Sequence, residues 1–134
     1  MTKPAIIKVH SSKRVEIIDI TEAVARAIAD SGVGEGLCVL QSLHTTAALT
    51  INESADPDVR RDMEKQLALI APRDPSFLHA EGNSDAHIKT SLFGPSLTLV
   101  VSGSRPVLGT WQAVYFCEFD GPRERSVLVK CIEG

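Results

Sequence analysis

Residues Trp111 to Phe119, WQAVYFCEF, constrain the fold more tightly than any other stretch of the chain. Trp111, Ala113, Tyr115, Cys117 and Phe119 alternate with Gln112, Val114, Phe116 and Glu118. A period of two marks a strand, and here both faces carry apolar side chains. Such a strand must be covered on both sides, and subunit contacts are expected to supply part of that cover. Glu118 is the charged interruption, on the face of Val114 and Phe116. A buried carboxylate needs a partner, whether an arginine, a metal or a bound ligand.

The rest of the chain reads as short strands with three helices between them. Ala5 to His10 alternates as a strand near an edge, and Val15 to Ile20 reads as a second one, in a hairpin with the first. Thr21 is placed as the N-cap of an alanine-rich helix that ends at Gly32, Gly34 and Gly36. The GVGEG segment lacks the Lys-Ser/Thr tail of a phosphate loop and follows a helix, so it is read as a cap and turn. Leu37–Ser42 and the run from Ala47 to Asn52 are further strands. Asp56-Pro57 opens a helix with a side-chain cap and a proline at its first position, and Val59, Met63, Leu67 and Ile70 form its apolar stripe.

A polar loop then runs from Arg73 to Asn83; a loop of this length in a small domain tends to carry function. Within NSDAHIKTSLFG, residues 83–94, Ile88, Leu92 and Phe93 share one helical face, with Ser84 or Asp85 as the cap and His87 in the first turn. Strands follow at Leu97–Ser102, Trp111–Phe119 and Ser126–Ile132. Helices do not alternate with strands one to one, so a doubly wound parallel sheet is disfavoured. The expectation is an α+β fold: one compact domain over residues 1–134, with a mixed or antiparallel, β-sandwich-like core and two to three helices.

Composition narrows the function. A net charge of −3, from 14 basic and 17 acidic residues, argues against a nucleic-acid surface. No apolar run approaches a membrane span, and the N-terminus does not resemble a signal peptide. A soluble, cytoplasmic protein is expected. Cys38, Cys117 and Cys131 each lie in an apolar run without a C-x-x-C pair and are read as buried thiols.

The candidate chemistry lies with His44, His79 and His87. Three imidazoles can hold zinc, iron or nickel and leave a position open for water or substrate. Their spacing alone matches no short metal motif, and separate loop histidines are the plainer reading. His10 is read as surface. Glu118 and Glu53 are the acid–base candidates, with Arg123 beside them. Lys89, Ser91, Arg123 and Asn83 are the candidate contacts to an anion. Arg123 is also read as a partner for Glu118. Arg105 and Arg125 complete the basic set and are read as surface charge.

Three stretches carry a resemblance: LQSLHTTAALTINESADPDVRRDME from Leu40 to Glu64, AHIKTSLFGPSLTLVV from Ala86 to Val101, and GTWQAVYFCEFDGPR from Gly109 to Arg123. Over Val15 to Glu133 the chain resembles the YjbQ family, also called UPF0047 or the secondary thiamine-phosphate synthase family. The resemblance implies a small α+β fold, a homotrimer and a pocket whose metal is held by histidines. The family's H-T-[TS]-A motif falls on His44, its N-E…D-P pattern on Asn52, Glu53, Asp56 and Pro57, and its H-x7-H pair on His79 and His87. G-T-W-Q falls on Gly109 to Gln112, with the acidic residue at Glu118 and the arginine at Arg123. Between the paired histidines this chain reads AEGNSDA, less acidic than many relatives.

The family name implies joining a thiazole phosphate to a pyrimidine pyrophosphate, which is expected here as a side activity. The expectation is a metal-dependent enzyme, zinc before iron or nickel, acting on a small phosphorylated molecule by transfer or hydrolysis. The alternative is a non-catalytic protein that binds a metal or a phosphorylated metabolite.

Overall fold

The computed structural model describes residues 3–134 and holds eight strands and three α-helices. In order these are β1 (Ala5–His10), β2 (Glu16–Asp19), α1 (Thr21–Ser31), β3 (Gly36–Ser42), β4 (Ala47–Glu53), α2 (Pro57–Ile70), α3 (Ser84–Phe93), β5 (Ser96–Ser102), β6 (Arg105–Pro106), β7 (Gln112–Glu118) and β8 (Glu124–Glu133). One sheet has the order β1-β8-β3-β5-β6 and the other β2-β7-β4. Every pairing is antiparallel. The fold is α+β, and parallel pairs are absent from the described residues.

The expected β1–β2 hairpin does not form. β1 pairs with β8, Ala5 opposite Val129, while β2 crosses to the second sheet and pairs with β7, Ile17 opposite Cys117. A short connection favours a hairpin but does not impose one. The turn around Ser11 to Val15 instead carries the chain from one sheet to the other.

Two apolar layers explain the two-sided strand. Between the sheets, Val114 and Phe116 of β7 and Ala47 and Leu49 of β4 pack against Leu40, Val127, Val129 and Leu99 of the larger sheet. On the far side of the smaller sheet, Ala113, Tyr115, Cys117 and Phe119 meet Leu67 of α2 and Ala86 of α3. Ala113 to Phe119 are therefore buried within one chain. Subunit contacts are not needed to cover them, and of this stretch only Trp111 and Gln112 are exposed. All three cysteines are free and buried, and loss of solvent pushes the Cys117 thiol up to about 12.

Local signals set the helix ends. Asp56 accepts a hydrogen bond from the Asp58 N–H at 2.9 Å, with Pro57 at the first position. Gly32 adopts a left-handed φ of 77° and closes α1. Thr21, however, is not a cap. The Asp19 carboxylate accepts the Thr21 N–H, and the Thr21 hydroxyl accepts the N–H of Val114 at 2.9 Å, tying α1 to β7.

α3 departs furthest from its sequence reading. Its buried side carries Asp85, Ala86, Lys89 and Thr90, while Ile88 and Leu92 face outward. Asp85 does not cap the helix. Its carboxylate takes a forked pair of bonds from Arg14, both 3.1 Å, and lies 3.4 Å from the Lys89 ammonium. That ion pair turns Asp85 and Lys89 inward and leaves Ile88 and Leu92 outside, while Phe93 still packs against Phe119.

Candidate functional site

At one end of the sandwich the strands bring two charged residues face to face. The inward residues of β8 are Arg125, Val127, Val129 and Cys131, and those of β7 are Val114, Phe116 and Glu118. Both apolar series end in a charge at the same rim. The Arg125 Nε donates to Glu118 Oε1 at 2.9 Å, and its Nη2 donates to the other carboxylate oxygen and to the Thr46 hydroxyl. Ser11 Oγ and the Asp120 N–H also donate to Glu118. Burial alone would raise the Glu118 carboxyl, but these donors outweigh it and hold it below the usual carboxylate range.

Around that pair lies an open cavity of about 380 Å³. The β3–β4 connection supplies Leu43, His44, Thr45 and Thr46. The long loop after α2 supplies His79 and Glu81, and the start of α3 supplies Asn83 and His87. The β7–β8 turn adds Asp120, Arg123 and, from β8, Arg125. Asn83 donates from Nδ2 to Asp120 Oδ2 at 2.7 Å, and Arg123 donates from Nε to the Asp120 carbonyl. Arg14 Nε lies 3.7 Å from the other Asp120 oxygen. Behind the cavity, Lys89, Asp85, Arg14 and Asp120 thus form one chain of charges linking α3 to the β7–β8 turn.

The structure brings His44, His79, His87, Asn83 and Arg123 together. It does not bring the other candidates there. Glu53 ends β4 while Ala47 begins it beside Glu118, so Glu53 lies about 20 Å along the strand at roughly 3.3 Å per residue. Lys89 is buried against Asp85, and Ser91 is exposed outside the cavity. Glu118 does not line the cavity and reaches it only through Arg125 and the Asp120 N–H. Its partner is Arg125 and not Arg123, because residue 123 lies in the turn before β8 begins its inward alternation. Sequence reasoning left Arg125 on the surface, although its parity with Val127, Val129 and Cys131 points it inward.

The expected three-histidine centre is not formed by these side chains. His79 and His87 stand edge to face with ring centroids 5.5 Å apart. His44 commits its Nε2 lone pair to the Ser126 N–H at 2.8 Å. Among the described residues no group of three or more His, Cys, Asp or Glu is placed to hold a metal ion. Burial lowers the His44 imidazole, and the neighbouring Arg125 charge adds to the effect, so both favour the neutral ring.

Comparison with known proteins agrees with the architecture. The sequence model of the family described as "UPF0047 protein YjbQ-like" matches residues 5–134. The UPF0047 protein MJ1081 of Methanocaldococcus jannaschii is 48% identical over 125 residues, covering 93% of this chain and 91% of the relative. The UPF0047 protein YugU of Bacillus subtilis is 43% identical, covering 92% and 95%. A crystal structure from Clostridium acetobutylicum, described as an uncharacterized conserved protein of the YjbQ/UPF0047 family, superposes with a TM-score of 0.92 at 47% identity, over 96% of this chain and 99% of that one. A YbjQ-like protein of unknown function from Sulfolobus solfataricus gives 0.93 at 28% identity, over 98% and 97%. The two-sheet fold, the match across nearly the whole chain and these relatives make this protein a member of the UPF0047, YjbQ-like family.

Proposed function

We propose that the cavity between the β3–β4 connection, the α2–α3 loop and the β7–β8 turn binds a small phosphorylated molecule and transfers or hydrolyses its phosphoryl or pyrophosphoryl group. One observation carries this reading. Three imidazoles and two guanidiniums, from segments far apart in sequence, line a single polar cavity of about 380 Å³, a volume within the range of small-metabolite sites. Arg123 is its anion contact, with Nη1 free of protein partners among the described residues. His79 and His87 are the acid–base groups of this reading, since both imidazoles line the cavity and a general acid or base must reach the reacting oxygen. Glu118 holds Arg125 and does not itself move a proton.

A second reading retains a divalent metal, and the His79–His87 contact favours it. Zinc, before iron or nickel, would take these two nitrogens, with ligand oxygens completing its shell, and would neutralise phosphate charge. The joining of a thiazole phosphate to a pyrimidine pyrophosphate is a different step on the same kind of ligand: a C–N bond forms from the thiazole nitrogen to the pyrimidine's methylene carbon, the C–O bond to pyrophosphate breaks, and a bound metal would take up the charge of the departing pyrophosphate. The test is turnover of a panel of phosphomonoesters and pyrophosphates, with and without a chelator, by wild type and His87→Asn. The first reading predicts chelator-resistant turnover that falls about a hundredfold or more in the variant, the usual scale for a lost general acid–base group. Chelator-sensitive turnover selects the second. Tight binding with no turnover makes the protein a binding module and ends the catalytic proposal.

Assembly belongs to the same proposal. Ile88 and Leu92 lie one turn apart on the outer face of α3, and Leu78 in the preceding loop is fully exposed. An apolar patch of this kind marks an interface, and the homotrimer is the assembly we assign to it, with the cavity at its edge.

A further inference from the structure

One wall of the cavity has two nitrogen-bearing side chains bonded from behind. The Ser126 N–H donates to Nε2 of His44. A neutral imidazole whose Nε2 accepts a hydrogen bond carries its proton on Nδ1. His44 lines the cavity, and its Nδ1 makes no hydrogen bond among the described residues and is not fully buried. The residue before Ser126 is Arg125, which is 2% exposed. Its Nε and Nη2 are occupied by Glu118 and Thr46, while Nη1 makes no bond among the described residues, and Arg125 lines the cavity. Both side chains are thus fixed from behind, and each keeps one N–H group for the cavity.

We propose that His44 Nδ1–H and Arg125 Nη1 form a preorganised seat for a tetrahedral oxyanion, with His44 a neutral hydrogen-bond donor and not a metal ligand. The seat deepens the phosphorylated-ligand reading and rests on it. It assigns the phosphoryl oxygens to this wall, leaving the half-exposed Arg123 as the outer contact. Donors held in place before the ligand arrives need no reorganisation when charge enters, which is why fixed N–H groups outperform flexible ones. The Glu118 carboxylate balances the Arg125 charge, so the seat selects by hydrogen-bond geometry more than by net charge. Burial and the Arg125 charge together disfavour protonation of His44, in keeping with a donor that stays neutral.

The test uses full-length ¹⁵N-labelled protein, inorganic phosphate and zinc. Long-range ¹H–¹⁵N spectra of the histidine rings are expected to show His44 as the Nδ1–H tautomer. Phosphate should move its Nδ1 resonance without changing the tautomer, and zinc should leave its Nε2 resonance in place. In calorimetry, Arg125→Lys, which keeps a charge for Glu118 but loses the second arm, should weaken phosphate binding about tenfold or more, the scale of one hydrogen bond to a charged group, with an unchanged far-UV spectrum. An Nε2–H tautomer, or an Nε2 resonance that moves on zinc addition, would overturn the proposal. If phosphate binds and perturbs His79 and His87 but not His44, the seat alone falls. If wild type binds no phosphate, the cavity reading falls and takes the seat with it.

Discussion

Glu118 commits both carboxylate oxygens to protein donors, and so its effect on the site is indirect. It keeps Arg125 extended across the end of the sandwich. With Glu118 and Arg125 both out of solvent, loss of one partner leaves a buried charge uncompensated at a cost of about 3–5 kcal/mol. Glu118→Gln should therefore lower the urea midpoint by a corresponding amount. A variant that loses turnover while keeping wild-type stability would instead make Glu118 a proton carrier.

The sign of its pH dependence follows from the lowered folded value. The stabilisation is complete above the ordinary glutamate value of about 4.3 and is lost as pH falls through the lower folded one. Asp85, also held low by Arg14 and Lys89 against the opposing effect of burial, adds to the same acid limb. His44 acts earlier: its folded value is lowered too, so its contribution is full above about pH 6.5 and fades as pH falls below that. Thermal melts should decline gently from about pH 6.5 and steeply below about 4.5, and Glu118→Gln should flatten the steep part.

At the scale of elements, signals that depend on neighbours in sequence were legible and signals that depend on distant partners were not. Asp56-Pro57 marked the start of α2 because a cap and its helix are contiguous. The two-sided pattern of β7 required cover on both faces, but nothing local shows that a second sheet and two helices supply it within one chain. The hairpin misreading of β1 and β2 has the same origin, since strand pairing is non-local. In α3, Lys89 reads as an anion contact and Ile88 as part of an apolar face, but Lys89 is buried and Ile88 exposed because the Asp85 carboxylate, itself held by Arg14, draws the lysine inward. The histidines were legible as a set, yet the Ser126 N–H that occupies His44 belongs to a strand more than eighty positions away.

The β7–β8 turn ties these elements to the site. A Cβ added at Gly121 would sit 2.5 Å from the Lys13 carbonyl oxygen and 2.8 Å from Glu118 Cγ. Gly121→Ala must therefore push the turn away from Glu118, at about 1–3 kcal/mol for an overpacked site. It should also weaken phosphate binding, because Asp120 and Arg123 move with the turn. Wild-type stability and affinity in that variant would show that the turn does not shape the cavity.

At the scale of the whole molecule, one chain buries its own two-layer core and leaves Ile88, Leu92 and Leu78 outside. Light scattering should give about three times the 14.4 kDa chain mass, and Ile88→Asp with Leu92→Asp should give the mass of one chain without loss of helix or sheet. A wild-type monomer would leave that face without the assigned role. The convergence of three histidines and two arginines in one cavity remains the central claim. Calorimetric titration with inorganic phosphate and with a small phosphomonoester tests it most directly. The account predicts saturable binding by wild type, unchanged by Glu53→Gln and weakened about tenfold or more by Arg123→Ala, the scale of a charge-assisted hydrogen bond. Absence of binding, or binding that Arg123→Ala leaves intact, would contradict it.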